Sequence, residues 1–487
     1  MKTAEAVETN ASRDYRPVVA LGLLIGTYIA VFGTLTWRQQ SNYGTFGFDM
    51  GIYDQGIWLL SRFHAPFDTV RGLNYFGHHV NVITVLFVPF YWLGAGPHFL
   101  YLVETLAMAA GAIPIYLLAS DLTKDRWVAL VPAGAYLLYP SLQWINWWHF
   151  HPDALIITPL LFAWWLASRK SWGWYVVAVV AALMAKEDAA LAIVVMGVVL
   201  LIRGERKWGV RTLASGLIWF LICTRVIIPI ANHGKAPFYE EFFPGFGHSM
   251  VSIVWTMVRH PSRIYRVAFL ADRLKYFRQL LLPVGLMPLA APLVLAIGAP
   301  QTVVNIVSAH SPTHDIRYHY SSVVIAVIFI ATVEVFARVV RRGDGWKIAA
   351  VALLCVSSVA SNREWSPSPI GRQYHSGIWA TAQPKHKVIN EALKLLKPGD
   401  GVTATYYLVP HVTHRVHVYE FPNPFKVANW GVNGEDPPNE RNTDVLFLDT
   451  TLNGDQDPLY QGLVAPAGLF VIVFNKDGIV VARRKTG

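Results

Sequence analysis

The chain has 487 residues, of which 54% are hydrophobic and only 15% are charged, whereas about a quarter of the residues in a soluble domain are charged. The missing charge coincides with long apolar runs, which argues against a soluble globular protein and indicates membrane-spanning sequence. The net charge of +10 comes from basic residues beside those runs, where they contact lipid headgroups, so it does not indicate a nucleic-acid partner. Only Cys223 and Cys355 are present, both inside apolar runs, so no disulfide framework is expected.

Apolar runs of the length that crosses a bilayer, about 20 residues, recur through the first three quarters of the chain. The polar segment 1–16 is followed by no small-residue cleavage site, so the first run is expected to remain as a membrane helix. Two runs, 80–94 and 300–313, are shorter, and each could be a short span, a re-entrant segment or an interfacial helix. Together the runs predict a mostly α-helical bundle of about 10–12 membrane helices. The ten clear candidates are 17–37, 99–119, 127–142, 154–168, 172–186, 189–202, 208–231, 280–298, 321–338 and 346–361.

Lysine and arginine gather in four short loops, which are 124–126, 169–170, 203–207 and 338–347. Short basic loops normally remain in the cytoplasm, so we expect these loops and segment 1–16 on the cytoplasmic side. The segments then left outside are 38–98, 143–153, 186–188, 232–279, 314–320 and everything after 361.

The composition changes after the last apolar run. VINEALKLL predicts a short helix ending at the turn 397–400, and GVTATYYLV, VHVYEF and DVLFLDT predict short buried strands. LFVIVFNKDGIVVARR predicts a hairpin that turns at Asp477 and Gly478. We therefore expect a transmembrane domain over 17–361 and an extracytoplasmic α/β domain over 362–487, with its core from about residue 385 and an exposed loop at 429–442.

The expected outer segments contain nearly all the unusual polar residues of the chain. Carboxylates and histidines near a membrane are costly and usually line a cavity or a pathway, so their collection on one side predicts a site there. They are Asp49, Asp54, His78, His79, His149, His151, Asp153, Lys186, Glu187, Asp188, His310, His314, Asp315, Arg317 and His319.

Asp49 and Asp54 lie in an aromatic and glycine-rich loop just after the first helix. They could supply a general base or a metal ligand, or could simply cap local turns. His78 and His79 do not share a helix face, so a joint metal site would need partners from elsewhere. His149, His151 and Asp153 stand among tryptophans, which suit either a membrane interface or a sugar-binding platform.

The triplet Lys186, Glu187 and Asp188 interrupts an otherwise apolar stretch. Three charges between two membrane helices favour a set that faces a cavity. Farther along, Arg259, Arg263 and Arg266 share a helical face, which predicts a helix lying on the membrane, a phosphate-gripping surface, or both. Arg225 and Arg317 are single candidates for phosphate contact because each lies beside an apolar segment.

Motifs for nucleotide hydrolysis and for serine or zinc peptidase chemistry are absent from the sequence. It contains no P-loop, no G-x-G-x-x-G after a strand, no H-E-x-x-H and no G-x-S-x-G.

An ordered set of motifs resembles a bacterial membrane-protein family known as domain of unknown function 2079. The motifs are FDMGIYDQGIW, the histidine pair at 78–79, IPIYLLA, YPSLQWINWWHFHPDAL, LMAKEDAAL and YYLVPHVTHRVHVYEFP. That family is similar to the type-C (GT-C) glycosyltransferases, multi-helix membrane enzymes that move a sugar from a polyprenyl-phosphate donor to an acceptor outside the cytoplasm. They place an essential Asp or Glu in the first outer loop.

The resemblance implies a GT-C bundle in the bacterial cytoplasmic membrane, with its active site and C-terminal domain outside. It implies Asp49 as the general base in an inverting transfer to a glycan, lipid or protein, with Asp54 as second candidate. No cofactor is required, although a divalent metal could be held by Asp49, Glu187 and Asp188; Met50 replaces the second acid that some members carry after the first.

In this interpretation Arg225, Arg263, Arg266 or Arg317 would bind the donor phosphate. His78, His79, His149, His151, Asp153, Lys186, Glu187, Asp188 and His319 would line the cavity, and the C-terminal domain would hold the acceptor, with His411 and His414 near the site. A transporter or flippase, and a non-catalytic scaffold for envelope assembly, are the alternatives.

Overall fold

The computed structural model describes residues 14–234, 242–247, 250–374, 381–432, 434 and 436–485. Among them, five helices are long and apolar enough to cross a membrane: Arg16–Ser41, Pro97–Thr123, Arg206–Ala231, His319–Val340 and Asp344–Trp365. Shorter apolar helices of 10–17 residues are Val82–Trp92, Pro152–Ser168, Trp172–Ala185, Ala189–Ile202 and Pro292–Val307. The chain is therefore a multi-pass membrane protein, and most predicted helices are confirmed to within a few residues.

Several of these helices are interrupted. Gly111 divides the second long helix into Pro97–Ala110 and Ala112–Thr123, and the region predicted as 127–142 forms Leu130–Leu137 and Pro140–Trp147. The prediction of a single helix over 280–298 is wrong. Pro283, Pro288 and Pro292 each remove a backbone donor, and the chain there forms the short turns Leu282–Val284, Met287–Ala290, Pro292–Leu295 and Ala296–Gly298.

The two shorter apolar runs also form short elements in the structure. Residues 80–94 form the turn Val82–Phe87 and the helix Val88–Trp92, and residues 300–313 form Ala299–Val307 followed by the turn Ser311–His314. Neither contains the roughly 20 helical residues that a full crossing requires. Both therefore cap the bundle or dip into it.

The helix Ser322–Val340 occupies the middle of the bundle. Of its most apolar 18 residues, 83% are buried inside the protein, compared with only 22% for the helix Arg16–Ser41. A helix that is apolar all round and enclosed by protein is a core helix, while one with apolar residues exposed faces lipid. The turn His319–Ser321 leads directly into this helix, so the central helix positions His319 at one wall of the polar region described below.

The four basic loops meet at one end of the bundle, which we call the basic end. Arg126 donates to the Asp14 carbonyl at 3.0 Å, and Lys347 pairs with Asp125 at 2.5 Å. The remaining loops are tied by the pairs Arg169–Asp121, Lys170–Glu205 and Arg203–Glu334. Because Arg16–Ser41 starts at this end, residue 42 and the loop after it lie at the opposite end.

Three further helices, Met250–Arg259, Pro261–Ala268 and Ala271–Leu281, follow one another along the surface. Trp255, Val258, Tyr265 and Phe269 are exposed on them. The predicted basic amphipathic region is thus helical with apolar residues outward, as in a helix that contacts the membrane interface.

The strands are labelled in chain order: β1 Phe67–Asp68, β2 Leu73–Asn74, β3 Val402–Ala404, β4 Val418–Glu420, β5 Val445–Asp449, β6 Phe470–Lys476 and β7 Ile479–Arg484. The C-terminal unit, from Pro384 to Arg484, holds a five-stranded sheet in the order β4-β3-β5-β7-β6. β3 pairs in parallel with β4 and β5, while β7 pairs antiparallel with β5 and β6.

Both faces of this sheet are covered. Val445 and Phe447 pack with the helix Pro384–Leu393, whereas Leu446 and Leu448 pack with the helix Asp457–Val464. Burial on both faces explains why β5 is apolar without alternation. The fold class predicted from the sequence, a mostly α membrane bundle with a small C-terminal α/β unit, is therefore confirmed.

The predicted hairpin is confirmed, with Asp477 and Gly478 both at positive φ, 50° and 79°, as a tight two-residue turn requires. The predicted first strand is shorter than GVTATYYLV and comprises only β3. Within the predicted exposed loop at 429–442, Trp430 is buried against Gly72; positions 433 and 435 lie outside the described residues.

Candidate functional site

Asp49 lies at the sharpest bend of the loop that follows the first helix. The turn Gly47–Gly51, here called the Asp49 loop, leads directly into the helix Ile52–Ser61. Asp49 itself has φ 72° and ψ −90°, a conformation close to the strained γ-turn that few non-glycine residues adopt. Strain of this kind persists only where the surroundings enforce it, and it concentrates at functional sites. The Asp49 side chain remains 38% exposed.

The C-terminal unit holds the Asp49 loop from one side. Gly47 donates its backbone N–H to the Tyr406 carbonyl at 2.8 Å. A Cβ atom at Gly47 would lie 2.6 Å from Glu420 Oε2 and 3.0 Å from Val409 Cβ, so a larger residue here would have to displace side chains of the C-terminal unit. Farther along, Gln55 donates to Thr69, which donates to the Val418 carbonyl at 2.8 Å. The Asp49 loop is therefore wedged between the bundle and the sheet.

The bundle supplies His151 on the other side of Asp49. His151 Nε2 lies 3.2 Å from Asp49 Oδ1, and the His151 backbone N–H donates to Glu104 Oε1 at 3.2 Å. Its neighbour His149 has φ 107°, a second strained residue at the same place, and contacts the Tyr101 hydroxyl at 3.3 Å. His151 is 2% exposed, so Asp49 is the member of this pair that a substrate can reach.

The contacts continue from His151 into a polar cleft. His319 stacks on His151 with ring centroids 3.8 Å apart, and His319 Nε2 lies 3.9 Å from Asp153 Oδ1. The same Asp153 oxygen accepts from Lys186 Nζ at 2.7 Å, and Lys186 also lies 3.5 Å from Asp188. The polar cleft is lined by Asp153, Ile156, Lys186, Asp188, Ala189, Gln301, His319, Tyr320, Ser322 and Val323.

Glu187 turns away from this cleft and binds the first loop. It lies 2.8 Å from His79 Nδ1 and accepts the Val80 backbone N–H at 3.0 Å. The His78 ring packs beside that of His79, with centroids 4.4 Å apart. The triplet 186–188 therefore connects two regions: Lys186 and Asp188 face the polar cleft, and Glu187 anchors the histidine pair.

The charged neighbours of Asp49 and Lys186 favour the charged forms of both side chains. Burial by itself raises the pKa of Asp49, but the charge of His151 and the contact with it outweigh burial and hold that pKa well below its usual range. Burial by itself lowers the pKa of Lys186, yet the carboxylates of Asp153 and Asp188 raise it well above normal. Burial, aided by Glu187, raises the pKa of Asp188 to about 6 against the attraction of Lys186.

Asp54 does not occupy the exposed position that a second base needs. It is 0% exposed, accepts from the Tyr91 hydroxyl at 2.6 Å and from the Thr413 hydroxyl, and lies 3.2 Å from His414 Nε2. A fully buried carboxylate with these partners is structural: it ties the first loop to the C-terminal unit. His411 packs at 4.1 Å against the ring of Tyr43.

The predicted phosphate-binding arginines do not converge on Asp49 among the described contacts. Arg317 is paired with Asp315 at 2.7 Å, and Arg263 donates to the Gly245 carbonyl at 2.8 Å. Arg266 and Arg225 are exposed on their helices. His314 lies 3.2 Å from Asp272, and His310 stacks on Phe242, so these histidines belong to a separate region.

The described residues contain no group of three or more His, Cys, Asp or Glu side chains arranged to hold a metal ion. Asp49, Glu187 and Asp188, the predicted metal ligands, therefore do not form a preformed metal site within the described structure. Glu187 is committed to His79 and Val80, and Asp188 to Lys186.

Sequence reasoning missed Glu104, Gln301 and Tyr320. Glu104 is a lone carboxylate in an apolar helix and is 0% exposed; that pattern alone is a functional signal in a membrane segment. Gln301 and Tyr320 give no such signal, because neutral polar and aromatic residues are common in membrane helices. Only their position on the wall of the polar cleft singles them out.

Comparison with known proteins places this arrangement in a family. The structure of ArnT from Cupriavidus metallidurans bound to undecaprenyl phosphate matches with a TM-score of 0.53 at 14% identity, covering 96% of this chain and 98% of that chain. The apo structure of the same protein matches with a TM-score of 0.53 at 12% identity and the same coverage. These likenesses show that the chain shares the fold of ArnT.

A structure of the Archaeoglobus fulgidus oligosaccharyltransferase in the apo form matches with a TM-score of 0.48 at 12% identity, covering 97% of this chain and 75% of that chain. No curated protein matches the sequence. The model of the family described as predicted membrane protein DUF2079 matches residues 42–480, and the chain therefore belongs to the DUF2079 family of membrane proteins.

Proposed function

We propose that this protein is a membrane-embedded glycosyltransferase that moves a sugar from a polyprenyl-phosphate-linked donor to an acceptor outside the cytoplasm. The observation that carries the proposal is Asp49: a partly exposed carboxylate in a strained loop, held in its ionised form by a buried histidine and lying between the bundle and the C-terminal unit. The fold supports it, because the structure of ArnT with the same fold holds undecaprenyl phosphate.

In the proposed reaction Asp49 is the general base. The acceptor hydroxyl gives its proton to Asp49 while its oxygen bonds to the anomeric carbon of the donor sugar. The bond from that carbon to the phosphate oxygen breaks, and its electron pair leaves with the polyprenyl phosphate. Attack opposite the leaving group inverts the anomeric carbon. The donor carries its own leaving group, so no nucleotide site is needed, and the acceptor is a glycan, a lipid or a protein.

His151 fixes which oxygen of Asp49 reacts. Since Oδ1 is held at 3.2 Å by His151 Nε2, Oδ2 is the atom that can receive the acceptor proton. The exposed arginines Arg225, Arg263 and Arg266 remain the candidates for the donor phosphate, because Arg317 is already neutralised by Asp315.

The orientation follows from the basic end. Positive loops are retained in the cytoplasm, and the structure gathers four of them at one end, away from Asp49. We therefore assign the Asp49 end and the C-terminal unit to the extracytoplasmic side of a bacterial cytoplasmic membrane.

The experiment is a transfer assay in proteoliposomes with a polyprenyl-phosphate-linked radiolabelled hexose and an extracted envelope fraction as acceptor. We expect label in the acceptor and free polyprenyl phosphate as the second product. Asp49→Asn should lower the rate by about 10²–10⁴-fold, the usual contribution of a general base. Asp344→Asn, an exposed carboxylate at the basic end, is the matched control and should leave the rate unchanged.

Two results would contradict the proposal. Full transfer by Asp49→Asn would remove Asp49 from the chemistry. Movement of intact donor across the vesicle membrane, without cleavage of its sugar–phosphate bond, would identify the protein as a transporter.

A further inference from the structure

A row of aromatic rings runs from the C-terminal unit to the bundle, past the proposed active site. Tyr406 meets Phe46 with ring centroids 5.2 Å apart, and Phe46 meets His149 at 5.0 Å. The ring of Trp148 lies 5.8 Å from that of His149 and 4.7 Å from that of Tyr318. The rings of Tyr406, Phe46, Trp148 and Tyr318, joined in the middle by His149, are here called the aromatic row.

The aromatic row lies beside Asp49 at three places. Phe46 directly precedes the Asp49 loop, and its carbonyl accepts the N–H of the last residue of that loop at 3.2 Å. Trp148 stands shortly before His151, whose Nε2 lies 3.2 Å from Asp49 Oδ1. Burial raises the pKa of the Tyr318 hydroxyl, and the Asp49 carboxylate is near enough to raise it further. A molecule lying along the row is therefore brought next to the proposed base.

The rings of the aromatic row keep part of their surface open. Tyr406 is 40% exposed, and Phe46, Trp148 and Tyr318 are each partly exposed. A cluster that only packed the bundle against the C-terminal unit would be buried throughout, as His149 is at 2% exposed. An aromatic belt at a membrane interface is also a poor description, because Tyr406 belongs to the C-terminal unit and Phe46 is held between that unit and the bundle.

The polar atoms of the row are available to a ligand. Within the described residues, the indole N–H of Trp148 and the hydroxyls of Tyr318 and Tyr406 make no hydrogen bond. By contrast, the nearby Trp144 donates its indole N–H to the Trp365 carbonyl at 2.6 Å. The row thus presents aromatic faces with a polar group at the edge of three of its rings.

This surface matches a saccharide better than a lipid or a peptide. Aromatic faces pack well against the C–H face of a sugar ring, and sugar hydroxyls can pair with both N–H and O–H groups. An acyl chain would cover those polar groups without a partner, which costs free energy. An extended peptide is held chiefly by main-chain hydrogen bonds to a strand edge, whereas the row presents side chains beyond the carboxyl end of β3.

We propose that the aromatic row binds the acceptor and that the acceptor is a saccharide chain whose rings lie on Tyr406, Phe46, Trp148 and Tyr318. The inference rests on the proposed function and names its acceptor class. Asp49 then meets one hydroxyl of the bound chain, and the row determines how tightly the chain is held.

The test measures binding and needs no donor. The protein in lipid nanodiscs is titrated calorimetrically with three neutral hexasaccharides, maltohexaose, cellohexaose and chitohexaose, with the matching disaccharides, and with an uncharged hexapeptide of glycine and serine. We expect at least one hexasaccharide to bind, and to bind roughly fivefold or more tightly than its disaccharide, which covers fewer rings of the row. The peptide should not bind.

The variants assign the binding to the row. Trp148→Ala and Tyr406→Ala should each lower affinity for that hexasaccharide by roughly fivefold, because each removes one stacking face. Trp148→Phe and Tyr406→Phe keep a ring and should retain most of the affinity. With the hexasaccharide as acceptor in the transfer assay, the alanine variants should raise its KM by a similar factor and leave kcat and the KM of the donor unchanged. Trp346→Ala, an exposed tryptophan at the basic end, is the matched control and should change none of these values.

The aromatic row is overturned as the acceptor site if no hexasaccharide binds, if a disaccharide or the peptide binds as tightly, if the alanine variants leave affinity unchanged, or if they raise the KM of the donor as much as that of the acceptor. The two proposals fail separately. A protein that binds a hexasaccharide through the row but transfers no sugar to it or to the envelope fraction overturns the glycosyltransferase and keeps the row. Transfer with unaltered acceptor binding by the variants overturns only the row.

Discussion

Asp49 and His151 form a close pair, with His151 Nε2 3.2 Å from Asp49 Oδ1. His151 Nδ1 lies 3.2 Å from the His149 carbonyl, and a carbonyl oxygen only accepts, so Nδ1 carries a hydrogen. Nε2 lies 3.2 Å from Asp49 Oδ1, and a proton on this nitrogen makes His151 an imidazolium that stabilises the Asp49 carboxylate. Its pKa is raised accordingly: burial by itself lowers it, but the charge of Asp49 dominates. The pair explains how an aspartate enclosed in protein remains ionised.

This pairing predicts an acid-shifted activity profile. The lowered pKa of Asp49 keeps the base ionised at pH values below the ordinary aspartate pKa of about 3.9. In His151→Gln, burial is no longer opposed by the imidazolium, so the acid limb of the transfer rate should move up by about one pH unit or more. The measurement is kcat/KM against pH, with exposed His233→Gln as control. An unchanged limb in His151→Gln would show that the imidazolium does not set the ionisation of Asp49.

At the scale of elements, two neighbouring helices meet through glycine. Gly197 of Ala189–Ile202 faces Gly209 and Leu213 of Arg206–Ile222; a Cβ at Gly197 would lie 2.4 Å from Leu213 N and 2.8 Å from Gly209 O. Small residues let membrane helices approach closely where no hydrophobic effect drives association. The first of these helices begins at the charged triplet, so its packing also positions Lys186 and Asp188.

Gly197→Ala should therefore lower the free energy of unfolding by about 1–3 kcal/mol, the usual cost of overpacking. Its matched control is Gly22→Ala, which meets nothing within 4 Å and should be neutral or stabilising by up to about 1 kcal/mol through helix propensity. Denaturant unfolding in detergent measures both. Equal stability of the two variants would contradict the close helix contact.

Element positions could be predicted from the sequence more fully than the site. The helix at 189–202 was predicted with its observed bounds, and the hairpin at Asp477–Gly478 was identified from its turn residues, because apolar length and turn chemistry are local. The prediction of one helix over 280–298 failed because three prolines interrupt helical hydrogen bonding there, although the segment is apolar enough to form a membrane helix. The contacts of Asp49 with His151, and of His151 with His319, join residues about 100 and 170 positions apart. No hydrophobic periodicity predicts a contact between residues so far apart in the sequence. The sequence therefore indicates which residue types could form the site but not which of them touch.

At the scale of the whole molecule, the C-terminal unit is fastened to the first loop by Asp54 and His414. Burial by itself lowers the pKa of His414, but the charge of Asp54 outweighs it and raises that pKa. Since the folded-state pKa lies above the unfolded value of about 6.5, the stabilisation is complete below that value. It is lost as the pH rises through the raised pKa.

The wild type should therefore lose thermal stability between pH 6 and 9 relative to His414→Gln, in which this contribution is absent at every pH. We expect the difference in melting temperature between the two proteins to shrink by roughly 1 °C or more over that range. His233→Gln, which changes an exposed histidine, serves as the control. A difference in melting temperature that stays constant with pH would mean that the contact between His414 and Asp54 does not involve a charged His414.

The orientation of the molecule can be tested with two matched cysteines. In a Cys355→Ser background, which removes the exposed native thiol, Ala467→Cys places a thiol on the C-terminal unit and Ser168→Cys places one beside the basic loop 169–170; both positions are exposed. If the basic end is cytoplasmic, a membrane-impermeant maleimide should label Ala467→Cys in cells whose cytoplasmic membrane is intact. Ser168→Cys should be labelled only after permeabilisation. The reverse pattern would place Asp49 in the cytoplasm and separate it from an extracytoplasmic acceptor, so this labelling decides the direction in which any transferred sugar is delivered.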